Sequence, residues 1–230
     1  SDGTGGGGLS ISEGSGMIWG NQITGNAASG SSGDGGGVLL YTDADVLFDA
    51  NIVEGNVAIN MGGGVRAQSN AATISNNIFA RNDPSGLNLS YACTGAVINN
   101  TFAENVNLGL EVVSGEQEVT ATIINNLIFG SGSFGVRVND HAAFSAFTNN
   151  LLYVSGTADY SGMDDPTGTD GNISADPLFE LPEAGWYCLQ EGSPAIDAGA
   201  DASSYGVTED YYGTGRALGA GYDIGACESF

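Results

Sequence analysis

The sequence predicts an all-β solenoid, in which the short strands of successive coils stack side by side. The prediction depends on a repeated unit and on the periodic apolar residues inside it. The stretch 73–82, TISNNIFARN, has similar copies before and after it in the chain. Aligned on the central asparagine, neighbouring copies lie 22–30 residues apart, a period typical of solenoids. The aligned residues are Asn21, Asn51, Asn77, Asn100, Asn126 and Asn150, followed by a degenerate copy at Asn172.

The first strand of each unit follows a glycine. GVLLY at Gly37, GVRAQ at Gly64 and GLNLS at Gly86 share an apolar residue at every second position, which predicts a strand with one buried face. Because every unit repeats this pattern, each buried position becomes a column through the stack.

A second strand surrounds the asparagine. Three residues before it stand Ile18, Phe48, Ile74, Val97, Ile123 and Phe147, and two residues after it stand Ile23, Val53, Phe79, Phe102, Ile128 and Leu152. These columns predict a continuous core, in which each buried side chain contributes about 1.5–3 kcal/mol.

The asparagine column has a structural explanation. The chain must bend between two strands that face inward, and asparagine tolerates left-handed backbone better than most other residues. Stacked asparagine amides can also hydrogen-bond from coil to coil, as in asparagine ladders. We therefore expect the six asparagines to form a structural ladder and not a catalytic site.

The charge balance limits the partners of the chain. It has 27 acidic residues, four Arg and no Lys, and its net charge is −23. This argues against nucleic acid, which is bound largely through Lys and Arg. Acidic polysaccharides would be repelled unless a divalent cation bridged them. No apolar stretch reaches the roughly 18 residues of a transmembrane helix, so no membrane span is predicted.

The three cysteines do not have the spacing of a zinc site. Cys188 and Cys227 both lie in the C-terminal part, where the repeat is lost, and they are candidates for a disulfide. Cys93 would then be a free thiol, which behaves as a small buried hydrophobe. This cysteine usage favours a secreted protein.

The repeats resemble the right-handed parallel β-helix of the pectate-lyase-like superfamily. The C-terminal segments SADPLF (174–179), YCLQEGSPAIDAG (187–199) and YDIGACE (222–228) resemble the closing segment of bacterial choice-of-anchor Q domain surface proteins. The family's acidic element DLDGNPR corresponds here to the reduced stretch YYGTGRALG around Arg216. The resemblance implies a secreted or surface-attached bacterial protein and does not imply catalysis.

We thus predict a right-handed parallel β-helix of about 6–7 coils over residues 1–175. Residues 176–230 are expected to form an irregular C-terminal cap of the same domain. Known enzymes of this fold usually have more coils, which leaves open whether the chain is a fragment of a longer solenoid.

The candidate catalytic residues lie in the strands that follow the coil glycines, or directly after one of these strands. Arg66 and Arg137 occupy the same place in their repeats, and Arg137 is near Asp140 and His141. For a lyase, the resemblance implies a cation near an acidic cluster and an Arg or Lys as base, and histidine titrates near neutrality. The alternative is a loop histidine beside a loop aspartate, which we favour.

The loop MDDPTGTDG (163–171) contains Asp164, Asp165 and Asp170. Closely spaced carboxylates suit Ca²⁺, so calcium is the cofactor that this loop would hold. The run lacks the regular alternation of a calcium loop, and a solvated acidic loop is the alternative.

An apolar stripe is predicted on the outside of the coils. It consists of Ile52, Ile78, Leu127, Leu151, Phe129 and Tyr153. Contiguous exposed apolar area usually marks a contact surface. The C-terminal segment, with Trp186, Tyr205, Tyr211 and Tyr212, is expected to cover it, and a second subunit or a carbohydrate are the alternatives.

The sequence therefore predicts a secreted or cell-surface structural or adhesive module that assembles end to end, as a homo-oligomer or filament, and is not an enzyme. The rival interpretation is a carbohydrate-binding module or a calcium-assisted polysaccharide lyase or hydrolase.

Overall fold

The computed structural model of the protein describes residues 5–139, 142–153 and 156–229. Within them the helical segments are two short 3-10 turns, Pro182–Ala184 and Ser203–Tyr205. In chain order the strands are β1 (Leu9–Trp19), β2 (Gln22–Thr24), β3 (Ala27–Ala28), β4 (Val38–Asp49), β5 (Ile52–Glu54), β6 (Val57–Ala58), β7 (Val65–Gln68), β8 (Thr73–Ser75), β9 (Ile78–Ala80), β10 (Ser85–Ser90), β11 (Ala96–Ile98), β12 (Thr101–Ala103), β13 (Leu108–Val113), β14 (Thr122–Ile124), β15 (Leu127–Phe129), β16 (Phe134–Asn139), β17 (Ala146–Thr148), β18 (Leu151–Tyr153), β19 (Ala158–Ser161), β20 (Ile173–Ser174), β21 (Phe179–Leu181) and β22 (Trp186–Leu189).

These strands form two long parallel sheets. The first has the order β17-β14-β11-β8-β4-β7-β10-β13-β16-β19, with β1 beside β4, and the second has the order β2-β5-β9-β12-β15-β18-β20. In the first two coils one long strand, β1 or β4, runs through the first sheet, and in the middle coils two short strands take its place, followed by one strand in the second sheet; β10, β11 and β12 are one such coil. The predicted fold class is confirmed as a right-handed parallel β-helix, with about six coils.

The predicted apolar columns line the core. Leu87 lies in register between Val65 and Leu110, and all three side chains are fully buried. In the next column the rings of Phe79 and Phe102 stack with their centroids 4.8 Å apart. A β-carbon at Gly64 would lie 2.3 Å from the carbonyl oxygen of Gly86 in the next coil, so the absence of a side chain at this position permits the close stacking of the coils.

The six aligned asparagines form a ladder inside the bend between β8 and β9 and the corresponding strands. The side-chain oxygen of Asn100 accepts hydrogen bonds from both the backbone and the side-chain nitrogen of Asn77, each at 2.9 Å. The same two bonds join every pair of neighbours from Asn21 to Asn172. Each side-chain oxygen thus accepts hydrogen bonds from a backbone and a side-chain donor, and a buried donor without a partner would cost about 1–3 kcal/mol.

The left-handed residue of the bend is not the ladder asparagine, so that expectation is wrong. The residue before it has positive φ, as at Asn76 (54°), Asn99 (53°) and Asn125 (57°). This residue turns the chain, and the turn brings the following side chain inside, where it meets its copies. The two adjacent asparagines therefore have separate roles.

A second ladder stands at the end of the second-sheet strands. Asn26, Asn56, Asn82 and Asn105 are joined by the same pair of bonds, at 2.9–3.1 Å. The next coil has Ser131 at this place, and its buried hydroxyl has no hydrogen-bond partner. These asparagines occupy the place of Asn82, the last residue of the repeated stretch TISNNIFARN.

The C-terminal segment packs against the outside of the second sheet. The antiparallel hairpin β21–β22 and the segment 195–226 bury an apolar cluster on that sheet. A disulfide with a Cα–Cα distance of 5.4 Å joins Cys188 of the hairpin to Cys227. The last coil strand ends at Ser174, and the hairpin begins at Phe179. Among the described residues, no helix is long and apolar enough to cross a membrane.

Candidate functional site

The two arginines of the sequence analysis belong to one row on the outer face of the first sheet. Arg66, Asn88, Glu111 and Arg137 pair in register across β7, β10, β13 and β16. Because neighbouring strands lie about 4.8 Å apart, these polar side chains form a continuous band.

Arg66 is held at one end of this row. Its guanidinium forms an ion pair with Asp34, its Nε donates to the hydroxyl of Ser90 at 3.3 Å, and its side chain is only 9% exposed. The ring of Tyr91 lies 5.9 Å from the guanidinium carbon. Arg66 is therefore fixed by burial, charge and an aromatic neighbour.

Arg137 is held at the other end by an ion pair with the buried carboxylate of Glu111. The second oxygen of Glu111 accepts a hydrogen bond from the side chain of Asn88 at 3.0 Å. Asp140 and His141, the other two weak catalytic candidates, lie outside the described residues. The row thus contains groups of both charges in fixed positions, and each of its two guanidinium groups is already paired with a carboxylate.

The loop 163–171 does not gather its aspartates into a cation site. The carboxylate of Asp165 accepts the backbone N–H of Thr167 at 2.9 Å. Hydrogen bonding from the side chain and then from the backbone of Thr167 lowers the pKa of Asp165. Across the part of the chain that the structure describes, no group of three or more His, Cys, Asp or Glu residues is arranged to hold a metal. Asp164 and Asp170 are exposed to solvent. Asp165 thus stabilises the local turn, and calcium binding by this loop stays a prediction.

The predicted apolar stripe is largely covered by the chain itself. Ile78, Leu127 and Leu151 are at most 5% exposed and belong to the apolar cluster under the cap, while Ile52 and Phe129 pack against it half-buried. The covering side chains are Phe179, Tyr187, Leu189, Ala195, Ile224 and Ala226, with Tyr211 half-buried beside them. Only Tyr153, 42% exposed, remains accessible to a partner.

The left-handed asparagines hold the cap on the coils. The side chain of Asn99 donates to the carbonyl oxygens of Asp223 and Gly225, at 2.9 and 3.2 Å. Asn125 bonds Ala200 in both directions, each at 2.8 Å. The first two coils have Gly20 and Ala50 at this place and so lack the amide. The sequence signal for these contacts was the doubling of the asparagine.

Arg216 is the centre of a buried network in the cap. Its guanidinium pairs with Glu228 at 2.9 Å and donates to the side-chain oxygen of Asn76, also at 2.9 Å. The side chains of Arg216 and Glu228 are fully buried, and burial raises the pKa of Glu228 and of neighbouring Asp223. This network locks the final segment against the coils, so Arg216 is not available to a ligand.

A cleft of about 480 Å³ opens on the cap beside the disulfide. It is lined by Trp186 and Tyr212, whose rings stack with centroids 5.5 Å apart, and by the carboxylates of Glu180, Glu191 and Asp210. Trp186 and Tyr212 are 43% and 51% exposed. An exposed aromatic pair beside carboxylates can contact a ligand that has both an apolar face and hydrogen-bond donors.

The comparisons with known proteins concern the coils. A family model described as "Right handed beta helix region" matches residues 3–167. No curated protein matches the chain. A solved structure titled "Crystal structure of pectate lyase Pel9A" is similar at 14% sequence identity and a TM-score of 0.39, over 90% of this chain and 73% of that chain. This similarity carries no argument about activity.

Proposed function

The chain belongs to the right-handed β-helix family, and from that premise we propose that it is a structural and adhesive module of a secreted or cell-surface protein. The coils form a stiff support, and the loops and the cap form the contact surfaces. The observation that supports this most is the pair of asparagine ladders. The first ladder ties each coil to the next from Asn21 to Asn172, and the second joins the first four coils from Asn26 to Asn105.

Two further features fit an extracellular location. The cap is held by the disulfide between Cys188 and Cys227, and such bonds persist in oxidising compartments. The net charge of −23 keeps a rigid, extended surface soluble.

The charged row on the first sheet favours binding over turnover. A lyase base must be free to take a proton, and Arg66 and Arg137 are each held against a carboxylate. In such a pair the guanidinium acts as a fixed hydrogen-bond donor. We therefore assign this row to the support and not to a reaction.

End-to-end self-association is a second candidate role. Among the described residues β1 has a paired neighbour only in β4, and an unpaired strand edge can template the addition of another strand. Ile11, Ile18 and Ile23 of the first coil pack against the core only partly buried, so a docked partner would complete their burial.

The test separates adhesion, assembly and turnover in one protein preparation. Light scattering and negative-stain imaging over a concentration series should show rods that lengthen with concentration if the coil ends associate. Affinity electrophoresis should show retention by a polysaccharide without product release. A monodisperse monomer that no polysaccharide retains would contradict the proposal, as would cleavage of an acidic polysaccharide that Arg137→Ala or chelation abolishes.

A further inference from the structure

We propose that the cleft on the C-terminal cap is a binding site for an uncharged glycan, with a pyranose ring against the Trp186–Tyr212 pair and sugar hydroxyls on the carboxylates of Glu180 and Glu191. The inference rests on the proposed adhesive function, and it names the ligand class and the surface that would carry it.

The aromatic pair supplies the apolar part of the site. A pyranose presents a face of C–H groups that packs against a flat ring, and large aromatic side chains provide this surface at little entropic cost. The rings of Trp186 and Tyr212 stack at an angle of 30°, and both residues remain exposed, so a sugar can pack against an outward face of the pair. The volume of about 480 Å³ is within the range of ligand pockets and is large enough for more than one sugar unit.

The Trp186–Tyr212 pair is held in place before any ligand binds. The indole nitrogen of Trp186 donates to Glu180 at 2.7 Å, and the disulfide ties the Trp186 strand to the final segment. The buried carboxylate of Asp210 accepts the backbone N–H groups of Tyr212 and Thr214, at 2.9 and 2.7 Å. It also accepts the N–H of Glu228 at 2.9 Å, so the loop that presents Tyr212 is pinned at its base. Binding would therefore cost little conformational entropy of these side chains.

The charges of the cleft select the ligand. Carboxylates accept hydrogen bonds and donate none when ionised, which matches sugar hydroxyls. The carboxylate oxygens of Asp210 and Glu228 accept hydrogen bonds from the backbone and from Arg216. One oxygen of Glu180 accepts the indole N–H of Trp186, which leaves its other oxygen and the exposed Glu191 for a ligand. Arg216, which pairs with Glu228 of the cleft lining, is fully buried, and Arg81 beside the hairpin is paired with Glu54 and Glu104. A uronate would therefore meet unopposed negative charge, whereas a neutral sugar would not.

Tryptophan fluorescence tests the site directly because the chain has only two tryptophans. Replacing the exposed Trp19 of the first coil, Trp19→Phe, leaves Trp186 as the only tryptophan. Neutral gluco-, manno- and xylo-oligosaccharides are titrated into this variant, with an oligogalacturonate and a lysine-rich peptide for comparison. We expect a saturable change in Trp186 emission with a neutral sugar, unaffected by added salt.

Matched variants localise the binding. Tyr212→Ala should weaken the association about tenfold, while Tyr205→Ala, a similarly exposed tyrosine outside the cleft, should leave it unchanged. In affinity electrophoresis Trp186→Ala should lose retention, and Trp19→Ala should keep it.

The outcomes separate this site from the function on which it rests. If a polysaccharide retains the protein and Trp186→Ala is retained equally, the cleft assignment is wrong and adhesion stands. If no polysaccharide retains the protein and no neutral sugar changes the emission, both the cleft assignment and adhesion to glycans are wrong. A salt-sensitive response to the lysine-rich peptide alone would make the cleft a cation-binding site and overturn the proposal.

Discussion

The coils and the cap are stabilised in different ways. In the coils, the ladder bonds join residues 22–30 positions apart, and each coil repeats the bonds of the one before. In the cap, the bonds to the coils span 49–140 positions, as from Asn149 to Ala198 and from Arg216 to Asn76, and they follow no fixed period. Loss of one rung leaves its neighbours in place, whereas each cap contact is unique.

The doubled asparagine joins the two regions. At 76–77, 99–100 and 125–126 the second asparagine belongs to the internal ladder and the first belongs to the cap interface. One bend of the chain thus turns the first amide outward to the cap and the second inward to the ladder. A structural repeat and a specific docking surface are specified by adjacent residues.

The largest difference between the regions should appear at buried phenylalanines. Phe102 is fully buried in the central coil, so Phe102→Ala should lower the free energy of unfolding by about 3–5 kcal/mol. Phe129→Ala, the same change at a half-buried residue under the cap, should cost clearly less because water and the cap can fill the space. Chemical denaturation followed by circular dichroism measures both. Equal losses would show that the cap interface is packed as tightly as the core.

Removing the disulfide should affect the cap and not the coils. Cys188 and Cys227 are 39 positions apart, and a crosslink over a loop of this length contributes about 2–4 kcal/mol. In the Cys188→Ser, Cys227→Ser variant, hydrogen exchange should rise in β21, β22 and the final segment while the coil strands stay protected. Cys93→Ser is the control, since this buried thiol is unpaired. Loss of protection in the coils would mean that the cap is required for the solenoid to fold.

Adjacent asparagines should give separable effects. Asn100→Ala removes the acceptor of two donors of Asn77 and should cost at least about 2 kcal/mol in coil stability. Asn99→Gly keeps the left-handed backbone and removes two bonds to the cap, at about 1 kcal/mol each. Limited proteolysis should release the cap in Asn99→Gly and leave it attached in Asn100→Ala. The reverse order would show that the bend does not divide the two roles.

The same contrast explains what the sequence could predict. The columns of Val, Leu, Ile and Phe and the ladder from Asn21 to Asn150 recur with one period, so six copies reinforce one inference. The roles of Asn99 and Arg216 could not be read in this way, because their partners are carbonyl oxygens and side chains more than 100 positions away. The aromatic cleft was missed for the same reason: Trp186 and Tyr212 were assigned to covering the stripe, and the burial is done by Phe179 and Tyr187.

High pH should weaken the attachment of the cap before it weakens the coils. Burial, reinforced by the nearby Glu104 carboxylate, raises the pKa of Tyr187, whose hydroxyl donates to Glu104 at 3.1 Å. The folded state then holds this proton more tightly than the unfolded state, in which tyrosine titrates near pH ~10. The stabilisation is complete below that pH and is lost as the pH rises through and beyond it. Tyr211, Tyr212 and Tyr222 of the cap have pKa values shifted upward by burial in the same way.

Cap release measured by limited proteolysis should therefore increase above about pH 10. The free energy of cap attachment that is lost should be smaller than the loss caused by any of the substitutions above. Tyr187→Phe should release the cap more readily at neutral pH, because the bond to Glu104 is gone, and should flatten the alkaline slope. Tyr41→Phe, a partly exposed tyrosine of the coils, is the matched control and should change neither. If the coil strands lose protection at the same pH as the cap, the two regions unfold as one unit in alkali. The repeated and unique contacts would then belong to a single cooperative structure.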